Sequence, residues 1–257
     1  MPALIFDCDG VLADTERDGH LPAFNLAFAE FGLPITWTDA VYAQKLRIGG
    51  GKERIASAIT HEILANAGLS QYPEDHALLI KNLHARKTEL FTERVEAGLL
   101  PGRPGIHRLV AEALAAGWTV AIASTSAEKS VRAVLRHVVG ADAYARCRVF
   151  AGDIVAHKKP APDIYLKVLT DLRLDPSECL VVEDSGIGVE AAVGAGLNVL
   201  VTVSTYTHSD DFSQAAVVLP NLGDPGHPFT GAPLRKPPEF AQQGYVALSD
   251  IAHLINR

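Results

Sequence analysis

Apolar and polar positions alternate along this chain in two distinct registers. The first is a short unbroken apolar run that ends abruptly in polar residues. Ala3-Leu4-Ile5-Phe6 leads into Asp7-Cys8-Asp9-Gly10 and then a second apolar pair, Val11-Leu12. A run of that length closing on Asp and Gly predicts a buried strand that opens into a turn. Residues 119–123, 149–151, 179–182 and 198–203 repeat the pattern, and residues 216–219 give a shorter version. Between them, residues 104–116, 128–139, 163–172 and 188–195 carry apolar positions at helical spacing, and residues 248–255 predict a last small helix. Strands alternating with helices predict an α/β fold: a Rossmann-like, doubly wound parallel sheet.

The second register is helical throughout. Leu21, Phe24, Ala27, Phe28 and Phe31 recur every three or four residues, and Gly32-Leu33-Pro34 stops that helix. Thr36-Trp37-Thr38-Asp39 predicts a helix start running to about residue 45, and two further helices are predicted over 52–67 and 74–97. Polar segments at Thr15-Glu16 and at residues 97–102 flank this region. It is read as an α-helical cap domain, residues 17–96, inserted into a core formed by residues 1–16 and 97–257. Residues 205–245, rich in Gly, Pro and polar positions, predict an irregular extension.

Composition narrows the function. The net charge of −7 over 257 residues argues against a nucleic-acid partner, which calls for a basic stripe. There is no apolar run of about 18 residues and no leader pattern, so no membrane span and no signal peptide are expected. The three cysteines, Cys8, Cys147 and Cys179, fit no metal spacing and read as reduced core thiols, as in a cytoplasmic protein. A monomer is expected.

The chemistry gathers at the strand ends. In an open parallel sheet, ligands bind outside the carboxyl ends of the strands. Asp7 and Asp9 follow the first strand, Ser124 and Thr125 the second, Lys159 the third, and Glu183 and Asp184 the fourth. Two carboxylates separated by one residue repel each other unless a cation or proton intervenes, and a hard divalent ion with oxygen ligands answers that. Alternation turns Cys8 away from Asp7 and Asp9 and into the core. Each strand-end signal alone is ordinary turn or capping chemistry; their convergence on one edge supplies carboxylates, a hydroxyl and a lysine, the parts a phosphoryl site needs.

With that set assembled, the sequence resembles the haloacid dehalogenase-like hydrolase superfamily. Asp7-Cys8-Asp9-Gly10-Val11-Leu12, Ser124 at a strand end, Lys159 in Lys-Pro-Ala-Pro-Asp, and Glu183-Asp184-Ser185 followed by Gly-Ile-Gly-Val-Glu-Ala-Ala are similar to its four motifs in order. The helical insert resembles the cap of the phosphoglucomutase-like subgroup. The resemblance implies Asp7 as nucleophile forming an aspartyl-phosphate and Asp9 as general acid and base. It implies Mg²⁺ held by Asp7, the Asp9 carbonyl and Asp184, with Glu183 directly or through water. Ser124 and the backbone near Thr125 are to bind the phosphoryl group, and Lys159 to stabilise transferring charge.

The remaining informative stretch is Arg47-Ile48-Gly49-Gly50-Gly51-Lys52. Glycines admit close approach of an anion, and Lys52, with Arg47 and Arg54, adds positive charge. Leu46 and Glu53 rule out a Walker A loop, which requires Gly and Ser or Thr at those places. Together with Ala13-Asp14-Thr15-Glu16 this stretch is similar to the CbbY group, phosphatases of sugar bisphosphates associated with carbon fixation (the Calvin cycle). That resemblance implies Glu16 on sugar hydroxyls, residues 49–52 on a distal phosphate, and xylulose-1,5-bisphosphate as substrate. His20 lies one residue later than the substrate-sensing His of mutase relatives. The competing readings are a phosphosugar mutase using the same aspartyl-phosphate, a haloacid dehalogenase, and a non-enzymatic phosphoacceptor or sugar-phosphate-binding regulator.

Overall fold

A computed structural model describes residues 1–255 of the chain apart from Gly49. Six strands form one sheet: β1 (Ala3–Phe6), β2 (Thr119–Ser124), β3 (Arg148–Ala151), β4 (Cys179–Glu183), β5 (Asn198–Thr202) and β6 (Val217–Leu219). All pairs are parallel, in the order β3-β2-β1-β4-β5-β6. This is the predicted doubly wound sheet, whose strand order reverses between β1 and β4. β1 lies at its centre, with Ile5 opposite Ala121 on one side and Val181 on the other. Its four residues are wholly buried, which is why the run is continuously apolar: both faces of the sheet are covered.

The chain divides into two compact units, Met1–Asp14 with Leu100–Arg257, and Thr15–Leu99. The second unit is helical: α1 (Leu21–Glu30), α2 (Asp39–Lys45), α3 (Gly51–Ala56), α4 (His61–Asn66) and α5 (Pro73–Glu96). The single helix expected over 52–67 is two, because Thr60 caps a new start by accepting a hydrogen bond from the Ile63 N–H at 3.3 Å. Thr15–His20, part of which was the polar flanking segment, is a π-helical turn that feeds α1. An aromatic cluster of Phe24, Phe28, Trp37 and Tyr42 forms this unit's core.

In the first unit, α6 (Ile106–Ala115), α7 (Glu128–Arg146), α8 (Asp163–Leu172) and α9 (Gly186–Gly194) connect the strands, and α10 (Leu248–Ile255) follows the last. Within α7 the helix expected over 128–139 ends where expected: Gly140 takes a non-helical φ of +80°, and a second helical stretch continues to Arg146. α8 and α9 pack Tyr165, Val168 and Val189 against Ile5, Ala123 and Val181 of the sheet. The extension after β6 is irregular yet anchored: Arg235 exchanges backbone hydrogen bonds with Val218, and Arg108 of α6 donates to the Gly223 and Val246 carbonyls at 2.9 Å each. No helix among the described residues is long and apolar enough to cross a membrane.

Candidate active site

Lys159 organises the carboxyl edge of the sheet. Its Nζ donates to Asp7 Oδ1 and to Glu183 Oε1, both at 2.6 Å, and to the Ala123 carbonyl at 3.2 Å. The loop after β3 carries it, while the ends of β1, β2 and β4 supply the three acceptors. The Asp7 N–H bonds the Val182 carbonyl at 2.9 Å, so Asp7 is locked to the sheet by the same ladder that forms β1. Burial weakens the charged form of Lys159, yet the facing Asp7 and Glu183 carboxylates hold its pKa well above the usual lysine value.

Glu183 is completely buried. Oε1 also accepts from the Tyr165 hydroxyl at 2.6 Å, and Oε2 accepts from the Asp184 N–H at 3.1 Å and the Ser185 hydroxyl at 3.3 Å. Four donors match the acceptor capacity of one carboxylate. Gly188, at the start of α9, makes the space: a Cβ there would stand 2.1 Å from the Glu183 carboxylate.

Asp7, Glu183 and Asp184 present carboxylate oxygens within 4.8 Å of one another, all buried. Burial foremost, opposed by Lys159 and reinforced by Glu183 and Asp9, pushes the Asp7 pKa up to about 7. Burial, then Glu183 and Asp7, pushes Asp184 well above the carboxylate range. Carboxylates crowded in this way are stabilised as anions by a cation, and an all-oxygen donor set fits a hard divalent ion such as Mg²⁺. With Glu183 saturated by donors, Asp7 and Asp184 are the carboxylates whose chemistry fits direct ligation.

The loop after β1 closes on itself. The Leu12 N–H bonds the Cys8 carbonyl and the Gly10 N–H bonds the Ala13 carbonyl, each at 2.9 Å. Gly10 takes φ +76°, a conformation glycine adopts without steric cost. Cys8 is buried, as alternation predicted, and burial raises its thiol pKa. The Asp9 carboxylate accepts a hydrogen bond from the Ser126 hydroxyl, and the Ser126 N–H donates to Ser124 Oγ at 3.1 Å. Thr125 sits between them, half-buried.

Three contributors escaped the sequence reading. Ser126 had a signal, since it completes the hydroxyl run Ser124-Thr125-Ser126. Tyr165 reads as one more apolar position on α8. Arg103 lies in a Pro-Gly-rich segment, yet its guanidinium bonds the Gly10 carbonyl, the Thr202, Val203 and Pro220 carbonyls at 2.8, 2.7 and 2.6 Å, and the Thr202 hydroxyl at 3.3 Å. It thereby ties the turn beyond Asp9 to the end of β5.

The other expected residues lie in the helical unit. Glu16 accepts from the Tyr42 hydroxyl and from Arg54 Nη1. Gly50 (φ +93°) precedes α3, and Gly51 and Lys52 begin it. Gly51 lies against His84, whose Nε2 would be 2.8 Å from a Cβ added there. Arg47 is exposed in the turn after α2. Gly49 lies outside the described residues. His20 is half-buried, its Nδ1 3.0 Å from Lys87 Nζ and its ring centroid 4.1 Å from that of Phe91.

A doubly wound sheet with a lysine-bridged carboxylate cluster at the mouth of its central strand defines a hydrolase of the haloacid dehalogenase-like class. The chain matches that family over residues 1–196 and belongs to it; it is a phosphatase of the family. It is 46% identical over 229 residues to the plasmid-borne protein CbbY of Cupriavidus necator, covering 89% of this chain and 88% of the relative. It is 45% identical over 242 residues to a CBBY-like protein of Arabidopsis thaliana, covering 91% and 75%. CbbY from Rhodobacter sphaeroides, solved in complex with phosphate, matches with a TM-score of 0.71 at 39% identity over 84% of this chain and 92% of that one. A mutant of that protein, solved in complex with xylulose-(1,5)bisphosphate, matches with the same TM-score at 38% identity over the same shares.

Proposed function

We propose that the chain is a Mg²⁺-dependent phosphatase that hydrolyses one phosphate ester of a sugar bisphosphate, xylulose-1,5-bisphosphate, through an aspartyl-phosphate on Asp7. The observation that carries the reading is Lys159 Nζ at 2.6 Å from both Asp7 and Glu183, with Asp184 beside them. The likeness to CbbY, one structure of which holds xylulose-(1,5)bisphosphate, supports the substrate.

Asp7 attacks phosphorus, forming an Asp7 O–P bond as the P–O bond to the sugar breaks. Asp9, as the carboxylic acid, gives its proton to the departing sugar oxygen. The Asp9 carboxylate then takes a proton from a water that attacks the aspartyl-phosphate, which frees inorganic phosphate and restores Asp7. Ser126 orients Asp9 for both transfers. Lys159 holds Asp7 through Oδ1 and offsets negative charge building on the phosphoryl oxygens, which Ser124 and the backbone at Thr125 hydrogen-bond. The Asp7 and Asp184 carboxylates and the Asp9 carbonyl would hold Mg²⁺, which would supply neutralisation of phosphoryl charge. Glu183 serves as the fixed anchor of Lys159. In the cap, Glu16 accepts from sugar hydroxyls, and Gly49, Gly50, Gly51, Lys52 and Arg47 take the distal phosphate.

A phosphate-release screen over sugar mono- and bisphosphates with Mg²⁺ tests the reading. It predicts release with a preference for ketopentose bisphosphates. Isomerised sugar phosphate without release would mark a mutase, and binding without turnover would mark a regulator.

A further inference from the structure

In the helical unit, Glu16 sits in a closed polar cluster. Tyr42 donates its hydroxyl to Glu16 Oε2. Arg54 Nη1 lies 3.4 Å from Glu16 Oε1 and 3.4 Å from the Tyr42 hydroxyl, and its guanidinium stands 6.0 Å from the Tyr42 ring centroid. On its other side, Arg54 Nε donates to the Ile48 carbonyl at 3.0 Å. One guanidinium therefore joins the carboxylate of Glu16 to the segment that leads into Gly50, Gly51 and Lys52.

We infer that Arg54 and Tyr42 are positioning residues that fix the Glu16 carboxylate for sugar hydroxyls and tie it to the anion-binding 47–52 segment. The inference rests on the proposed reading of Glu16 as a sugar contact. Tyr42 is a stiff support: it is fully buried, with its ring 5.9 Å from Phe24 and 5.8 Å from Trp37. Burial and the Glu16 charge hold its phenol in the protonated, donating form. A carboxylate has about four acceptor sites; Tyr42 and Arg54 use one on each oxygen. The side chain of Glu16 is 23% exposed, so it is held by Tyr42 and Arg54 without being closed off from solvent. Holding an acceptor in its productive geometry before the ligand arrives is what supporting hydrogen bonds of this kind accomplish.

The test is a set of steady-state measurements on the full-length enzyme with Mg²⁺, using xylulose-1,5-bisphosphate and p-nitrophenyl phosphate as substrates. Variants are Glu16→Gln, Tyr42→Phe, Arg54→Lys and the doubles with Glu16→Gln. Tyr42→Phe and Arg54→Lys should each lower kcat/KM for the bisphosphate on the order of ten-fold, the scale of one hydrogen bond to a charged group, with a smaller loss on the aryl phosphate. Each double should be no worse than Glu16→Gln alone, since the three side chains act as one unit. Should Glu16→Gln be impaired while Tyr42→Phe and Arg54→Lys match the wild type, or should the doubles be additive, the positioning inference is overturned and the Glu16 reading stands. Equal losses on both substrates would make the cluster structural and overturn it likewise. Should Glu16→Gln itself keep wild-type selectivity, the Glu16 reading fails and the inference with it.

Discussion

Gly10 and Asp184 leave no room between them for one more carbon: a Cβ on Gly10 would stand 2.0 Å from Asp184 Oδ2. The glycine of the first motif thus serves two ends, a left-handed φ and space for a carboxylate that arrives from the end of β4. Gly10→Ala adds backbone strain of about 1 kcal/mol and displaces Asp184. It should raise the half-saturating Mg²⁺ concentration for phosphate release on the order of ten-fold or more, the factor that 1.4 kcal/mol corresponds to. A Mg²⁺ titration of initial rates checks this; an unchanged midpoint would remove Asp184 from the metal site.

The anchor of Lys159 can be weakened from a distance. Tyr165→Phe deletes one of the two donors to Glu183 Oε1, leaving a completely buried carboxylate short of a partner. The cost should be about 1–3 kcal/mol of stability, read from urea unfolding, with a several-fold lower kcat. Glu183→Gln should be more severe: Lys159 keeps Asp7 as its counter-charge, but the amide NH2 replaces one of the two oxygens that accept from Lys159, Tyr165, the Asp184 N–H and Ser185, so two buried donors lose their acceptor at about 1–3 kcal/mol each.

Ser126→Ala should lower kcat on the order of ten-fold while changing KM little. Loss of the hydroxyl removes one hydrogen bond that orients the Asp9 carboxylate without touching Asp7, and proton transfer as a whole contributes about 10²–10⁴-fold. Ser126→Thr should restore much of the rate. A Ser126→Ala enzyme with wild-type kcat would show that Asp9 does not depend on this contact.

The contrast between Ser126 and Asp7 shows what could be read from sequence. Asp7, Ser124 and Glu183 each end an apolar run, so local pattern alone put them at strand ends, and the parallel sheet brought those ends to one edge. Lys159 has no pattern of its own; its position in the loop after the third strand put it with the others, and the family resemblance supplied its role. The Ser126–Asp9, Arg103–Gly10 and Arg54–Glu16 contacts join residues 117, 93 and 38 positions apart. No periodicity encodes such pairings; they follow only from packing. The break between α3 and α4 was missed for the opposite reason. Helical spacing continues across it, and a local cap at Thr60 overrides the pattern.

Acid should destabilise the cap through His20. Burial first, then Lys87, Arg54 and His84, holds its pKa well below the ordinary value. In the unfolded chain His20 takes a proton below about pH 6.5, whereas the folded state keeps it neutral, accepting from Lys87. The unfolded state therefore binds more protons, and this contribution to stability is lost as pH falls through about 6.5. The buried acids Asp7 and Asp184 act with the opposite sign, so the difference between wild type and His20→Gln isolates the histidine. Melting temperature against pH should fall less steeply on the acid side for His20→Gln. Parallel curves would contradict a His20 that stays neutral in the folded state.

The account turns on Asp7 as the group that takes the phosphoryl. The most direct measurement is inorganic phosphate released from xylulose-1,5-bisphosphate with Mg²⁺, by the wild type and by Asp7→Asn side by side. The prediction is one phosphate per substrate from the wild type and none above background from Asp7→Asn. Release by Asp7→Asn at a rate near that of the wild type would contradict it.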